Sequence, residues 1–138
     1  MSEDAANSNH IRWLTTALVL LLSTPLAAAE VNLLLECPDS PDIYREALID
    51  AGHAAVSSRS HQCYRELGPS EISLLEPEYA LLIIIRPAGE GWQLEPELQN
   101  YTDGEIQRLT NPPQFKEFRD LLLAIDFYCG ALLDTIEP

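Results

Sequence analysis

A chain of 138 residues with 22 acidic against 8 basic side chains carries a formal charge of −14, and at that length there is room for one domain and little more. A polyanion of this density is repelled by phosphate backbones and anionic lipid surfaces, which argues against nucleic-acid binding. A basic protein partner or a saline habitat fits the charge, and so does a plain soluble acidic surface.

The first distinctive segment is Trp13–Ala29, WLTTALVLLLSTPLAAA. An apolar run ending in small residues, with Ala27 and Ala29 placed for signal peptidase, has the form of a secretory h-region and cleavage site. Cleavage there makes residues 1–29 a leader and residues 30–138 a single periplasmic or secreted domain. The n-region is weak, because Glu3 and Asp4 offset Arg12. A membrane-anchored chain and a cytoplasmic one therefore remain open, with membrane contact expected only through residues 13–29 if they are retained; the segment is short for a span. Beyond Ala29 the charge is near −13, and Lys116 is the only lysine.

Val31–Glu36, VNLLLE, predicts a first strand that breaks at Cys37-Pro38-Asp39. Ser40, Pro41 and Asp42 then supply an N-cap, an N1 proline and a first-turn acid. They open a helix over Pro41–Ala51 with Ile43, Ala47 and Ala51 at i/i+4 spacing, and Gly52 reads as its C′ stop. Ala54–Val56 predicts a short second strand, Ser60–Leu67 a short helix ended by Gly68-Pro69, and Ile72–Leu75 a helical turn or connector.

Glu78–Leu94, EYALLIIIRPAGEGWQL, is the segment around which the rest is organised. Ala80–Ile85 is apolar at successive positions, ends in three β-branched residues and is terminated by Arg86-Pro87 and two glycines, which predicts a strand. A strand apolar on both sides belongs in the middle of a parallel sheet. Ligand and catalytic groups of such sheets gather past the carboxyl ends of the strands. Here that place holds no nucleophile and one carboxylate, Glu90. Arg86, Glu90 and Trp92 are the candidate interaction surface, although a tryptophan in that position also serves to seal a core edge.

Trp92–Leu98 reads as weakly helical, Asn100–Gly104 as a polar turn and Ile106–Thr110 as a short edge strand closed by Asn111-Pro112-Pro113. Phe115, Phe118, Leu122, Ile125, Cys129 and Leu132 trace one stripe of a long C-terminal amphipathic helix that covers a sheet. The β-α-β-α-β order with right-handed crossovers describes a doubly wound α/β sheet.

In order and spacing these pieces resemble a response-regulator receiver domain. The carriers are Leu33-Leu34-Leu35-Glu36, then Arg45-Glu46-Ala47-Leu48-Ile49-Asp50-Ala51-Gly52-His53 and Val56, then Pro77 to Trp92 in place of the receiver third strand. Asn111-Pro112-Pro113-Gln114-Phe115-Lys116-Glu117-Phe118 is similar to the last-helix entry of single-domain receivers that partner phytochrome-type kinases. The resemblance implies a truncated flavodoxin-like, doubly wound parallel sheet of about four strands. It also implies lost chemistry: the phospho-acceptor position falls on Ile84, the Mg²⁺-binding acidic pair on Glu36 and Cys37, and the conserved lysine position on Asn111. An isoleucine cannot form an acyl phosphate, so the resemblance implies a phosphorylation-incompetent pseudo-receiver.

Other chemistry is sparse. Cys37, Cys63 and Cys129 fit no metal motif and permit three disulfide pairings, with one thiol over. Cys37-Pro38-Asp39-Ser40 between a strand and a helix is similar to the active-site segment of monothiol glutaredoxin-like proteins, which would lower the Cys37 pKa. His53 and His61 read as ordinary loop or helix-edge residues, and no metal or cofactor is expected. Glu36, Asp39 and Glu90 are the nearest approach to an oxygen-ligand set. The expectation is a non-enzymatic protein-interaction module with an unknown protein partner, for which a basic protein fits the charge. An exported thiol or disulfide-handling protein using Cys37, and a small acidic exported inhibitor or immunity-type protein, are the alternatives.

Overall fold

The structure is a computed structural model that describes residues 28–38 and 42–137. Among the described residues the elements run β1 (Glu30–Glu36), α1 (Asp42–Ser57), β2 (Gln62–Arg65), α2 (Pro69–Leu75), β3 (Tyr79–Ala88), β4 (Gly91–Asn100), β5 (Ile106–Arg108), β6 (Gln114–Phe115) and α3 (Phe118–Leu133). Residues 1–27, which hold most of the expected leader, and the expected cap residues Ser40 and Pro41 lie outside the described residues, as does Asp39.

The strands form one sheet in the order β2-β1-β3-β4-β5, with β6 also paired to β4. β1 is parallel to β2 and β3, but β4 is antiparallel to β3, and β5 and β6 are antiparallel to β4. The sheet is therefore mixed, and the expected parallel, flavodoxin-like sheet of about four strands is overturned. The physical reason is the connection after β3. Ala88 pairs with Gly91, leaving Gly89-Glu90 as a two-residue turn, whereas a parallel crossover needs a dozen residues or more. Gly89 has φ 59 and Glu90 is not left-handed, the pattern of a type II′ turn, which puts glycine at the first central position.

Three other expected elements change type. The expected strand Ala54–Val56 is the last part of α1, where Ala55 and Val56 continue the buried spacing of Leu48, Ile49 and Gly52. Gly52 does not stop the helix. A Cβ there would stand 2.8 Å from Ile83 Cδ1 and 3.0 Å from Leu33 Cδ1, so glycine lets α1 approach the sheet. The expected helix over Ser60–Leu67 is β2, with Cys63 buried between exposed Gln62 and half-buried Tyr64. The expected weak helix Trp92–Leu98 is β4. Its Pro96 is compatible with a strand because Leu94 N–H donates outward to the Pro113 carbonyl at 3.0 Å, so residue 96 turns its nitrogen to that same edge, between β5 and β6.

Two helices lie on one face. α1 and α3 pack against each other, α1 on β1 and β2, and α3 on β4 and β6. Between them and the sheet sit Val31, Leu33, Leu81, Ile83, Ile85, Leu94, Leu121 and Ile125, all at or near zero exposure. Each such side chain contributes roughly 1.5–3 kcal/mol relative to an exposed one. The α1–α3 seam is fixed at its far end by Arg59, whose guanidinium lies over Gly130. It donates to Asp126 Oδ1 at 2.9 Å, to Asp134 Oδ1 at 3.1 Å and to the Ala55 carbonyl at 2.9 Å. The Asp126 hydrogen bond leads the effects that hold the Arg59 pKa above its ordinary range.

Candidate interaction surface

Strand alternation sends the other half of the sheet residues to the opposite face. Register places Leu34, Leu82 and Glu97 in one row that continues to Arg108 on β5, and Glu36, Ile84 and Glu95 in the next. Arg86 and Gln93 form the row after that. Among the described residues no helix packs on this face as α1 and α3 do on the other.

The lower end of the face is closed by Asn32, which is fully buried. Its Nδ2 donates to the Tyr101 hydroxyl at 3.3 Å, and its Oδ1 accepts from Leu67 N–H at 3.0 Å. Those bonds satisfy a buried amide that would otherwise cost about 1–3 kcal/mol. They also tie the approach to α2 and the loop after β4 over the first turn of the sheet.

The upper end is open and charged. Arg86 Nε donates to Glu95 Oε2 at 2.6 Å, and Arg108 Nε donates to Glu97 Oε1 at 2.8 Å. Gln99 Nε2 adds a bond to Glu97 Oε2 at 3.3 Å. The Glu95 hydrogen bond, then its charge, hold the Arg86 pKa above its ordinary range, and Glu36 and Glu97 act in the same direction. A shallow groove of about 340 Å³ runs between the two pairs, with Leu109 and Pro112 on its rim. Leu34 and Leu82 are half-buried beside these pairs, and Ile84 is buried beneath them.

Arg86, Glu90 and Trp92 do not share a surface. Arg86 is exposed on this face and Glu90 is exposed in the hairpin turn. Trp92 is half-buried on the helix side, edge-on to Phe118 with ring centroids 5.9 Å apart. Of the residues expected at receiver positions, Glu36 and Ile84 are register partners on this face. Cys37 follows Glu36 and packs against the core, while Asn111 is exposed in the segment between β5 and β6. Glu95, Glu97 and Arg108 were not singled out from sequence. Their signal was the alternation of Trp92, Leu94, Pro96 and Leu98 with polar residues, which marks a strand with one wet face.

Cys63 and Cys129 are buried and not bridged. Burial pushes the Cys63 thiol up to about 11 and the Cys129 thiol up to about 12, against the small lowering effects of Arg65 and Arg59 respectively. Neither supplies a thiolate near neutral pH. Among the described residues no group of His, Cys, Asp and Glu is placed to hold a metal ion, and no helix is long and apolar enough to cross a membrane.

No protein-family model matches this chain, and no curated protein does. Among solved structures it is similar to a single-site variant of the PelC dodecamer from Paraburkholderia phytofirmans, at 12% identity and a TM-score of 0.48, over 82% of this chain and 93% of that one. A second crystal form of the PelC dodecamer aligns at 11% identity and 0.46, over 78% and 91%. TolB from Acinetobacter baumannii aligns at 9% identity and 0.45, over 74% of this chain and 27% of that one. Likeness at this level assigns no function.

Proposed function

We propose that this chain is a non-catalytic protein-interaction module that works through the sheet face opposite α1 and α3. The observation that carries the reading is the one-sided sheet: two helices cover one face, while Leu34 and Leu82 remain half-buried on the other beside Glu36, Arg86, Glu95, Glu97 and Arg108. Surfaces that combine apolar residues with placed charges are what protein partners cover. The side chains of this face suit binding better than chemistry. Ile84 holds the position at which a receiver would be phosphorylated, and a hydrocarbon side chain cannot accept a phosphoryl group. The two arginines of this face are already engaged by Glu95 and Glu97.

The test is site-specific photo-cross-linking in the source cells. A photoreactive amino acid at Leu82 is expected to give a discrete protein adduct that disappears when Leu34→Glu is added. The same group at Leu123, on the far side of α3, should give none. Absence of an adduct from Leu82, or an adduct indifferent to Leu34→Glu, overturns the reading.

A further inference from the structure

Resting on that reading, we propose that the occupant of the open face is a cationic amphipathic helix supplied by another protein. The shape argument comes from the topology. β1-α1-β2 and β2-α2-β3 each carry a crossover helix, but β3 returns through a two-residue turn into β4, so no helix follows it. α2 is short, and the residues tied over the sheet there reach only to Asn32. Among the described residues no helix lies above the rows Leu34–Leu82–Glu97 and Glu36–Ile84–Glu95, in which Leu34 and Leu82 are half-buried and Ile84 is buried beneath its charged neighbours. β1, β3 and β4 lie about 4.8 Å apart, so the strip they expose is roughly 10 Å between outer strand axes, the width of one helix.

The chemistry argument comes from the charge inventory. Arg45, Arg59, Arg65, Arg86 and Arg108 each form an ion pair within the chain. Among the described residues only Lys116 and Arg119 are cations outside such pairs, and both sit at the approach to or start of α3, on the other side of the sheet. On the open face Glu36 is exposed and makes no ion pair, while Glu95 and Glu97 each meet one arginine through its Nε alone. A carboxylate accepts several donors, so Glu36 and Glu95 retain capacity for an incoming lysine or arginine, whereas Glu97 is 14% exposed and has both oxygens engaged, by Arg108 and Gln99. A second copy of this chain would bring another strongly negative body to the face, with Lys116 and Arg119 the only cations outside ion pairs among its described residues. A helix with leucines on one side and lysines along its margins meets both requirements: the apolar side over Leu34 and Leu82, the cations beside Glu36 and Glu95.

The probe is a synthetic leucine–lysine peptide of about 14 residues, long enough as a helix to span ~21 Å. Its controls are a leucine–glutamate analogue and a scrambled leucine–lysine sequence without helical period. Binding is read by backbone amide shift changes in the isotopically labelled full chain. The leucine–lysine helix is expected to shift residues 34–36, 82–86 and 95–97. Its affinity should fall about tenfold, roughly 1.4 kcal/mol, in Leu82→Glu, and by a smaller factor with a weaker salt dependence in the Glu36→Gln, Glu95→Gln double variant. Because Leu82 is half-buried and a charge there also burdens folding, the double variant, which keeps every apolar residue, tests the claim independently. Shifts centred on Leu123 and Phe127, or equal binding of the scrambled peptide, overturn the proposal. Equal binding of the glutamate analogue at the open face overturns the cationic helix and leaves the interaction module standing. Self-association through Leu82, with no peptide reaching the face, overturns the helical occupant and identifies the module's partner as its own copy.

Discussion

Gly130→Ala is expected to change the sign of its effect with the residue at position 59. A Cβ on Gly130 would stand 1.9 Å from Arg59 Nη2, so the guanidinium must leave. The guanidinium is the free end of a long side chain and can swing away, so the cost is the contacts given up rather than a clash. Asp126 and Asp134 are 65% and 67% exposed, and an ion pair of that exposure contributes only about 0.2–1 kcal/mol. Bonds from Arg59 to the Ala55 and Asp126 carbonyls add about 1 kcal/mol each. The loss is then roughly 2–3 kcal/mol, against about 1 kcal/mol gained when alanine replaces glycine inside a helix. Gly130→Ala should therefore destabilise the protein by about 1–2 kcal/mol when Arg59 is present, and stabilise it by about 1 kcal/mol in an Arg59→Ala background. Urea midpoints of the four proteins, at equal transition slopes, give the comparison. Stabilisation by Gly130→Ala in both backgrounds would refute the placement of Arg59 across α3.

Gly91→Ala is the harder case, because its Cβ would meet the Phe115 carbonyl oxygen at 2.0 Å and backbone cannot swing aside. A loss above about 2 kcal/mol in urea unfolding is expected, and a neutral variant would mean that β6 does not lie against β4 there. A chain that begins at Glu30 should be about 2 kcal/mol less stable than one that keeps Ala27. It lacks buried Ala29, the bond from Ala28 N–H to Ser60 and the carbonyl that accepts Gln62 N–H, and equal urea midpoints would show that β1 needs none of these. A thiol-specific colour reagent at mildly alkaline pH should leave Cys63 and Cys129 unmodified in the folded chain and label both in urea, since burial keeps them protonated; fast native labelling of Cys129 would refute its place in the core. Burial, then the Arg59 charge, lowers the His61 pKa below 6.5, and its Nδ1 is buried without a hydrogen-bond partner. The unfolded chain then holds the proton more tightly, so stability from this group is lost as pH falls below 6.5 and rises with pH across that window. His61→Gln should flatten this slope in urea midpoints, and an unchanged slope would place the imidazole in water.

The elements that sequence displayed are those whose apolar spacing has one meaning. In β3, Leu81, Ile83 and Ile85 face the helices while Ala80 and Ile84 are buried on the other side, which is why the run is continuous. α3 keeps Ile125, Cys129 and Leu132 of its expected stripe buried, with Leu121 and Leu133 added, and Phe115 belongs instead to β6. Where sequence misled, a local signal was outweighed by packing. Gly52 has the look of a helix end but is held inside α1 by Ile83 and Leu33, and Gln62–Arg65 has no apolar run because it is a short edge strand that buries only Cys63.

β4 was misread for a different reason, and the error bears on both fold and surface. Its alternation is legible in Trp92, Leu94, Pro96 and Leu98, but a proline within such a run argues against a strand in the middle of a sheet. The edge formed by β5 and β6 is interrupted opposite Pro96, so the missing N–H costs no ladder bond. Once β4 is a strand, Gly89-Glu90 is its hairpin, the parallel sheet ends at β3, and Glu95 and Glu97 stand beside Ile84 and Leu82. One two-residue turn thus removes the helix that would have covered this face and puts carboxylates at its upper end. Among the described residues the missing crossover helix and the charges have a common origin, which makes the hairpin the place to intervene. Lengthening the turn with a flexible insertion should weaken peptide binding at the open face more than it weakens the α1–α3 seam. Amide exchange at Leu82 and Glu97 against that at Ile125 measures the difference, and equal loss at both would refute an independent role for the hairpin.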